Sequence, residues 1–197
     1  MDESVRGRII AVARRSFFAN GFRRITMDDL AGELGISKKT LYEHFSSKTA
    51  LVEAAILDKF DGIDSNLEQI TSMCSSDFIG TLHRLLAYIQ QQTGEIQPPF
   101  LRDIRRRPEL FGQVESRRRD LVQRHFGKLI REGRRAGIIR DDIAPELIIE
   151  ITLGALERIM NPVKTAELDI TPRTGYSAII SVIFNGVITE KARAQFN

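Results

Sequence analysis

Several residue types are scarce in this chain, and each shortage excludes a class of protein. Among the 197 residues there is a single cysteine, Cys74, so an internal disulfide is excluded and a reducing cytoplasm is expected. Such a lone thiol is more often a packing residue than a redox sensor. Tryptophan is absent, and the three histidines, His44, His83 and His125, are too scattered to predict a metal site. We therefore expect neither a metal nor another cofactor.

Long hydrophobic runs are also missing. No window approaches the roughly 18 uninterrupted apolar residues that a membrane span requires, so no membrane partner is expected. The chain opens with the acidic run Met1-Asp2-Glu3-Ser4, which is unlike a secretory signal peptide. Nucleophile–base sets, phosphate-binding loops and metal-ligand spacings are not found either, which argues against an enzyme.

The formal net charge of +3 conceals a strong partition along the chain. Residues 1–50 carry nine Lys or Arg and six Asp or Glu, whereas residues 51–101 carry two and seven. Residues 102–140 carry thirteen basic and five acidic residues, and residues 141–197 carry five basic and eight acidic residues. Two basic segments are thus separated by an acidic one, and each needs its own explanation.

Helical periodicity runs through nearly the whole chain, and no stretch of four or more residues alternates as a strand would. Prolines stand at expected first helical positions, and glycines or Asn161-Pro162 stand at expected ends. The sequence therefore predicts an all-α protein. The expected helices span about residues 3–20, 27–34, 38–45, 48 onward, 77–93, 98–106, 108–136, 145–161 and 172–190.

Capping residues mark the second and third helix in detail. Thr26 is a good N-cap, and Asp29 three residues later completes a capping box. Gly35 can adopt the left-handed conformation that ends a helix, and Ser37 is the next N-cap. Two short helices joined by such a turn form a helix-turn-helix unit.

The outward face of the third helix suits the major groove of DNA. Its side chains are polar, aromatic or hydrogen-bonding, whereas Leu41 and Phe45 point inward. Phosphate contacts are expected from the first turns of the helices near Thr26 and Lys48. The predicted DNA-binding residues are Thr26, Ser37, Lys38, Lys39, Thr40, Tyr42, His44 and Lys48.

The run Ile36-Ser37-Lys38-Lys39-Thr40-Leu41-Tyr42-Glu43-His44-Phe45, followed by Ser47-Lys48, resembles the recognition helix of the TetR family of bacterial transcriptional regulators. The preceding segment, Arg8 to Phe22, resembles the first helix of that family. Lys39 departs from the pattern where a small Gly is common, and Ser16 departs where Leu is usual. Beyond about residue 60 the resemblance lies only in the number and spacing of helices.

This resemblance implies a three-helix DNA-binding domain over residues 1–48, joined without a flexible linker to a helical effector-binding and dimerisation bundle over residues 49–197. The implied function is that of a dimeric repressor, released from a pseudo-palindromic operator by a small molecule. A DNA-binding activator, an effector-independent repressor and an interaction module without DNA binding are the alternatives. The expected partners are double-stranded DNA, a second copy of the chain and an unknown small-molecule effector.

Two sets of residues in the body are candidates for these roles. Residues that can line an effector cavity are Tyr88, Phe100, Arg102, Phe111 and Phe126, although aromatics at helical spacing more often belong to a core. The last two helices are apolar on more than one face, which suits either an internal core or a four-helix interface with a mate. The predicted interface residues are Ile148, Ile151, Ala155, Ile159, Ile179, Ile183 and Val187.

The second basic segment, residues 102–140, has three interpretations. Its arginines can lie on solvated helix faces that pair with the acidic stretch 51–101. Arg102, Arg105 and Arg106 share one helix face, so they can also form a pocket for an anionic effector. The third interpretation is an additional contact with DNA.

Overall fold

The computed structural model describes residues 3–74 and 76–190, and the regular elements in these ranges are all helices, which confirms the predicted all-α class. An isolated antiparallel bridge joins Ile139 to Ile188. In the same ranges, no helix is both long and apolar enough to cross a membrane. The helices are α1 (Glu3–Asn20), α2 (Met27–Leu34), α3 (Lys38–His44), α4 (Lys48–Ser72), α5 (Phe78–Gly94), α6 (Pro98–Arg105), α7 (Pro108–Leu121), α8 (Gly127–Arg135), α9 (Pro145–Ile159), α10 (Pro162–Glu167) and α11 (Pro172–Val187).

The chain forms two compact units. The first comprises the chain up to Ile63 together with Glu95–Val114, and the second comprises Asp64–Gly94 and the chain from Glu115 onward. Helices α4 and α7 therefore contribute residues to both units. The expected functional division at residue 48 concerns which residues bind DNA, and it stays a prediction.

The core of the first unit is built on one stripe of α1. Ile9, Ala13 and Phe17 follow each other at intervals of four residues, so they share one face of the helix, and all three are completely buried. Leu30 of α2 and Leu41 of α3 are completely buried in the same cluster. This stripe therefore supports the two helices that follow it.

Helix α6 also belongs to the first unit. The Gln97 N–H, just before α6, donates a hydrogen bond of 3.0 Å to the Phe18 carbonyl oxygen at the end of α1. The buried Phe100 ring lies 4.4 Å from the Phe18 ring and 6.0 Å from the Phe22 ring, centroid to centroid. These contacts attach α6 to the end of α1 and to the α1–α2 connection.

The second unit is centred on α11, which packs against α5 and α9, while α8 packs against α9. Phe184 of α11 is completely buried and meets Phe126 edge to face at 5.1 Å between ring centroids. Leu82 of α5 and Leu129 of α8 are completely buried as well. The contact between α8 and α5 requires a small residue at position 133, because a Cβ on Gly133 would lie 2.7 Å from the Phe78 ring.

Two of the expected long helices are shorter in the structure than the sequence predicts. The predicted helix 108–136 is interrupted by a π-helical turn at Val122–Phe126, which separates α7 from α8. The predicted helix 172–190 ends at Val187, since the following residues form backbone bonds with another segment. The Arg140 N–H donates to the Val187 carbonyl oxygen at 2.9 Å, and the Thr189 N–H donates to that of Ile138 at 2.8 Å.

The sequence pattern does not predict α10, because Asn161-Pro162 indicates a helix end. The same two residues also begin a helix: the Asn161 side chain accepts a hydrogen bond of 2.9 Å from the Lys164 N–H, and Pro162 occupies a first-turn position. A proline is compatible with either assignment, since it lacks the N–H that a first helical turn leaves unbonded.

Candidate nucleic-acid interface

The first turn of α2 is held by the predicted capping box. The Asp29 N–H donates to Thr26 Oγ1 at 3.1 Å, and the Thr26 N–H donates to Asp29 Oδ2 at 2.8 Å. The Thr26 hydroxyl donates to the same carboxylate at 2.7 Å. Because these hydrogen bonds stabilise the charged form, the pKa of the Asp29 carboxyl lies below its ordinary value. Thr26 is thus exposed, and its hydroxyl also stabilises the start of α2.

The turn between α2 and α3 is set by Gly35 and Ser37. Gly35 has φ +67°, a left-handed conformation that glycine adopts without a steric penalty, and the Ile36 N–H then donates to the Ala31 carbonyl oxygen at 3.1 Å. Ser37 Oγ accepts from the Thr40 N–H at 3.0 Å and so begins α3. Both features were predicted from the sequence, and the structure confirms them.

One face of α3 is anchored and the opposite face is exposed. Leu41 is completely buried and Phe45 is almost so, and both pack into the core that α1 supports. Lys38 and Lys39 are exposed, and Tyr42 keeps 42% of its surface accessible. A short helix anchored in this way presents its polar face without strain, which is the arrangement a major-groove reader requires.

Two of the predicted reading residues are less accessible than their neighbours. Thr40 is half-buried, and its hydroxyl lies 2.9 Å from Ser37 Oγ within the cap of α3. His44 is also half-buried, and its enclosed Nδ1 has no hydrogen-bond partner among residues 3–74 and 76–190. The structure therefore places both residues at the edge of the exposed face rather than at its centre.

Lys48 lies where α4 begins, beside the α1–α2 connection. Its Nζ donates a hydrogen bond of 3.1 Å to the Ile25 carbonyl oxygen, directly before the Thr26 cap. Ser47 caps α4, since its Oγ accepts from the Ala50 N–H at 3.1 Å. The first amides of a helix have no intrahelical partner, so the start of α4 and the Lys48 ammonium together form a positive end that suits an anion.

The α2 and α3 surface carries both signs of charge. Lys38 Nζ lies 2.8 Å from Asp28 Oδ1, and this hydrogen-bonded pair raises the pKa of Lys38. Glu33 accepts hydrogen bonds from Arg15 and Ser16, and the Arg15 bond is the main reason that its pKa is lowered. The Lys38 ammonium is thus stabilised in its charged form, and it is available to a phosphate once it leaves Asp28.

The sequence did not predict a cleft in the first unit that brings Lys48 together with Arg23 and Arg107. The cleft has a volume of about 220 Å³. Arg107 was noted only as part of an arginine run, because nothing in its local pattern relates it to a lysine 59 positions earlier. The run itself, Arg105-Arg106-Arg107, is the one signal that indicated a functional residue here.

The five candidate effector residues are not gathered in one unit. Phe100, Arg102 and Phe111 belong to the first unit, whereas Tyr88 and Phe126 belong to the second. Phe100 and Phe126 are buried and packed against other rings, as the core alternative expected. Arg102 is exposed, and Phe111 lies under the Arg105 guanidinium at 5.3 Å.

The candidate interface residues fall into two groups. Those already buried within this chain, and hence not presented to a mate, are Ile148, Ile179 and Val187. Ile151 is 52% exposed, and the half-buried remainder are Ala155, Ile159 and Ile183. The sequence did not select the most exposed apolar side chains of these two helices, Leu147 and Val182. Periodicity shows that two faces are apolar but not which of them the monomer buries.

Cys74 and His125 are both buried. Cys74 is buried, and burial raises the pKa of its thiol, which favours the packing interpretation over a redox sensor. His125 is buried in the π-helical turn, with Nε2 2.6 Å from Asp64 Oδ1. Among residues 3–74 and 76–190, no three His, Cys, Asp or Glu side chains converge as metal ligands.

Comparison with known proteins points to the same segment. The family model described as bacterial regulatory proteins, tetR family, matches residues 9–55, which run from α1 into α4. An uncharacterized HTH-type transcriptional regulator of Bacillus subtilis, YvaF, is 25% identical over 189 residues, which cover 93% of this chain and 96% of YvaF. The similarity thus extends beyond the matched segment to the whole length of a relative.

Solved structures show that the fold is shared as well. A putative TetR-family transcriptional regulator from Mesorhizobium loti superimposes with a TM-score of 0.68 at 18% identity, covering 94% of this chain and 98% of that one. SmeT, the repressor of the Stenotrophomonas maltophilia multidrug efflux pump SmeDEF, gives a TM-score of 0.62 at 17% identity, covering 95% and 92%. SmeT has also been solved in complex with triclosan.

The predicted helix-turn-helix, its exposed α3 face and the matched segment coincide in the first unit. The relatives found are HTH-type or TetR-family transcriptional regulators by name. The chain therefore carries the helix-turn-helix segment of the TetR family of bacterial regulatory proteins, and its fold is that of solved TetR-family regulators.

Proposed function

We propose that this protein represses transcription as a cytoplasmic homodimer that binds a pseudo-palindromic operator and leaves it when a small molecule binds. It acts by binding and not by catalysis. The observation that supports the DNA contact is the α3 face, which Leu41 and Phe45 anchor from behind while Lys38, Lys39 and Tyr42 remain exposed. In this proposal α3 reads base edges, and Thr26, Tyr42 and Lys48 hold the backbone.

Dimerisation is supported by the apolar surface of α9 and α11. These helices pack against each other, yet Leu147 and Ile151 of α9 and Val182 of α11 are each more than half exposed. Exposed apolar side chains clustered on two adjacent helices are typical of a protein interface. A two-fold mate would place two α3 helices about 34 Å apart, so that they reach successive major grooves.

Release by an effector is supported by SmeT, a repressor of the same fold that binds triclosan. A ligand changes operator affinity only if it binds one conformer of the dimer more tightly than the other. A difference of about 3 kcal/mol is sufficient to change operator affinity more than a hundredfold.

The experiment is to select fragments of the source genome that the purified dimer binds, and to place the best site before a reporter gene. We expect the reporter to be more active without the regulator than with it. Lower activity without the regulator would overturn repression in favour of activation. If the protein binds no duplex even at low salt, DNA binding itself is refuted.

A further inference from the structure

The cleft noted above is wholly part of the first unit and has a basic rim. Its rim is formed by Arg23 from the α1–α2 connection, Lys48 from the start of α4 and Arg107 from the α6–α7 junction. Its floor is apolar, since Phe22, Val52 and Leu110 are all buried. No lining residue is acidic.

Each rim position is fixed by a separate contact, through the backbone at Arg23 and Arg107 and through the side chain at Lys48. The Arg23 N–H donates to Asp103 Oδ2 at 2.8 Å, and the Arg107 N–H donates to the Ile104 carbonyl oxygen at 2.9 Å. Lys48 Nζ is held by the Ile25 carbonyl at 3.1 Å. Three positive side chains are therefore brought around one cleft by the fold, even though like charges repel at this range.

In the part of the chain that the structure describes, no carboxylate forms an ion pair with the side chains of this rim. Across the described ranges 3–74 and 76–190, neither Arg23 nor Arg107 forms an ion pair. Other arginines of the basic segment do have partners: Arg105 covers the Phe111 ring, and carboxylates pair with Arg118, Arg124, Arg135 and Arg140. Arg107 thus differs from these paired arginines, and it differs from its exposed neighbour Arg106 in that it lines the cleft.

We propose that Arg107, together with Arg23 and Lys48, binds a phosphate group of the DNA backbone, outside the helix-turn-helix. This inference rests on the proposed function, because the cleft shares Lys48 with the predicted phosphate contacts beside the Thr26 cap. A guanidinium matches the paired oxygens of a phosphate and keeps its charge at every relevant pH. Among the three interpretations of the second basic segment, Arg107 therefore favours additional DNA contact.

The test is the salt dependence of DNA binding by Arg107→Gln, measured with the operator and with an unrelated duplex of equal length. Each phosphate contact contributes about 0.9 to the slope of log affinity against log salt concentration. We expect Arg107→Gln to lower that slope by about one, and to weaken both duplexes about tenfold at low salt. Arg107→Lys keeps the charge and should retain the slope.

Arg106→Gln is the matched control, since Arg106 is an exposed neighbour that does not line the cleft. Equal slopes for Arg107→Gln and wild type, with operator binding intact, would overturn this phosphate contact and leave the proposed function standing. An equal loss of slope in Arg106→Gln would also overturn the phosphate contact at Arg107. Failure of the wild type to bind any duplex would instead refute the proposed function.

A second arm separates DNA from a free phosphate compound. Inorganic phosphate is added to the protein at constant ionic strength, and the midpoint temperature of thermal unfolding is measured at each phosphate concentration. If phosphate stabilises the wild type but not Arg107→Gln, and the DNA salt slopes are equal, the cleft binds a free anion and the DNA assignment is wrong. A reduced DNA slope in Arg107→Gln supports the assignment whether or not inorganic phosphate binds.

Discussion

The Asp103 carboxylate accepts a 2.8 Å hydrogen bond from the backbone N–H of Arg23, 80 positions earlier in the chain. Asp103 is 9% exposed, so this contact forms where water is largely excluded. It joins α6 to the connection between α1 and α2, directly before the Thr26 cap. The position of the DNA-facing elements therefore depends on a residue outside the helix-turn-helix.

Replacing Asp103 with Ala should destabilise the protein by about 1–3 kcal/mol, because the Arg23 N–H loses its partner in a partly buried place. Urea unfolding followed by circular dichroism measures the change. Glu109→Ala, which removes an exposed carboxylate from α7, is the control and should change stability by less than about 1 kcal/mol. Equal losses from both substitutions would show that the Asp103 contact contributes nothing specific.

Gly21 and Gly32 should respond to alanine with opposite signs. Gly21 has φ +80°, and a Cβ there would lie 2.7 Å from Asp103 Oδ2, so we expect Gly21→Ala to cost at least about 2 kcal/mol. Gly32 lies in α2 with open space around its Cα, so Gly32→Ala should stabilise by about 0.5–1 kcal/mol. The midpoint temperatures of thermal unfolding of the two variants measure both effects. A Gly21→Ala variant as stable as the wild type would contradict the close approach of Asp103.

Substitutions at the DNA surface should divide by role. Tyr42→Ala and Lys48→Ala should weaken binding to all duplexes alike, because phosphates occur in every sequence. Thr40→Ala and His44→Ala should change the preference between the operator and a base-substituted site about tenfold or more, as the loss of a base contact does. Competition binding with both duplexes provides the measurement. Uniform losses from all four variants would contradict this division.

Ile151→Glu should weaken dimerisation, since it places a charge on the exposed apolar surface of α9. We expect the dimer dissociation constant, measured by sedimentation equilibrium, to rise at least tenfold. Val163→Glu is the matched control, because Val163 is also exposed and apolar but lies on α10. If both variants dimerise like the wild type, α9 does not form the interface.

The acid stability of the second unit should depend on Asp64. The hydrogen bond from His125 is the main cause that lowers the pKa of this carboxyl, and Arg124 adds to it. A lowered folded pKa stabilises the protein above the unfolded value of about 3.9, and that contribution is lost as the pH falls through the folded value. In urea unfolding between pH 6 and 2, the deficit of Asp64→Asn relative to wild type should therefore shrink as the pH falls.

The control for this prediction is Asp61→Asn, an exposed aspartate one turn earlier on α4. Its difference from the wild type should not vary with pH in the same way. A constant deficit for Asp64→Asn over the whole range would mean that the His125 contact does not stabilise the charged carboxylate.

Features that depend on neighbouring residues were predictable from the sequence. Thr26, Gly35 and Ser37 act through bonds within a few positions, so the ends of α2 and α3 could be located before any packing was known. The buried faces of α1 and α3 followed in the same way from spacing, because Leu41 and Phe45 repeat at the helical period. The chemistry of the exposed α3 face is likewise a property of one short run.

Contacts between distant segments were not predictable from one sequence. Asp103 meets Arg23, and Arg107 comes to the same cleft as Lys48, only after α6 has packed on α1. Local periodicity predicts neither pair. The early end of α11 also coincides with backbone bonds to another segment. Hydrogen bonding between near neighbours specifies the helices and the reading face, whereas the burial of whole helix faces selects which distant charges become neighbours.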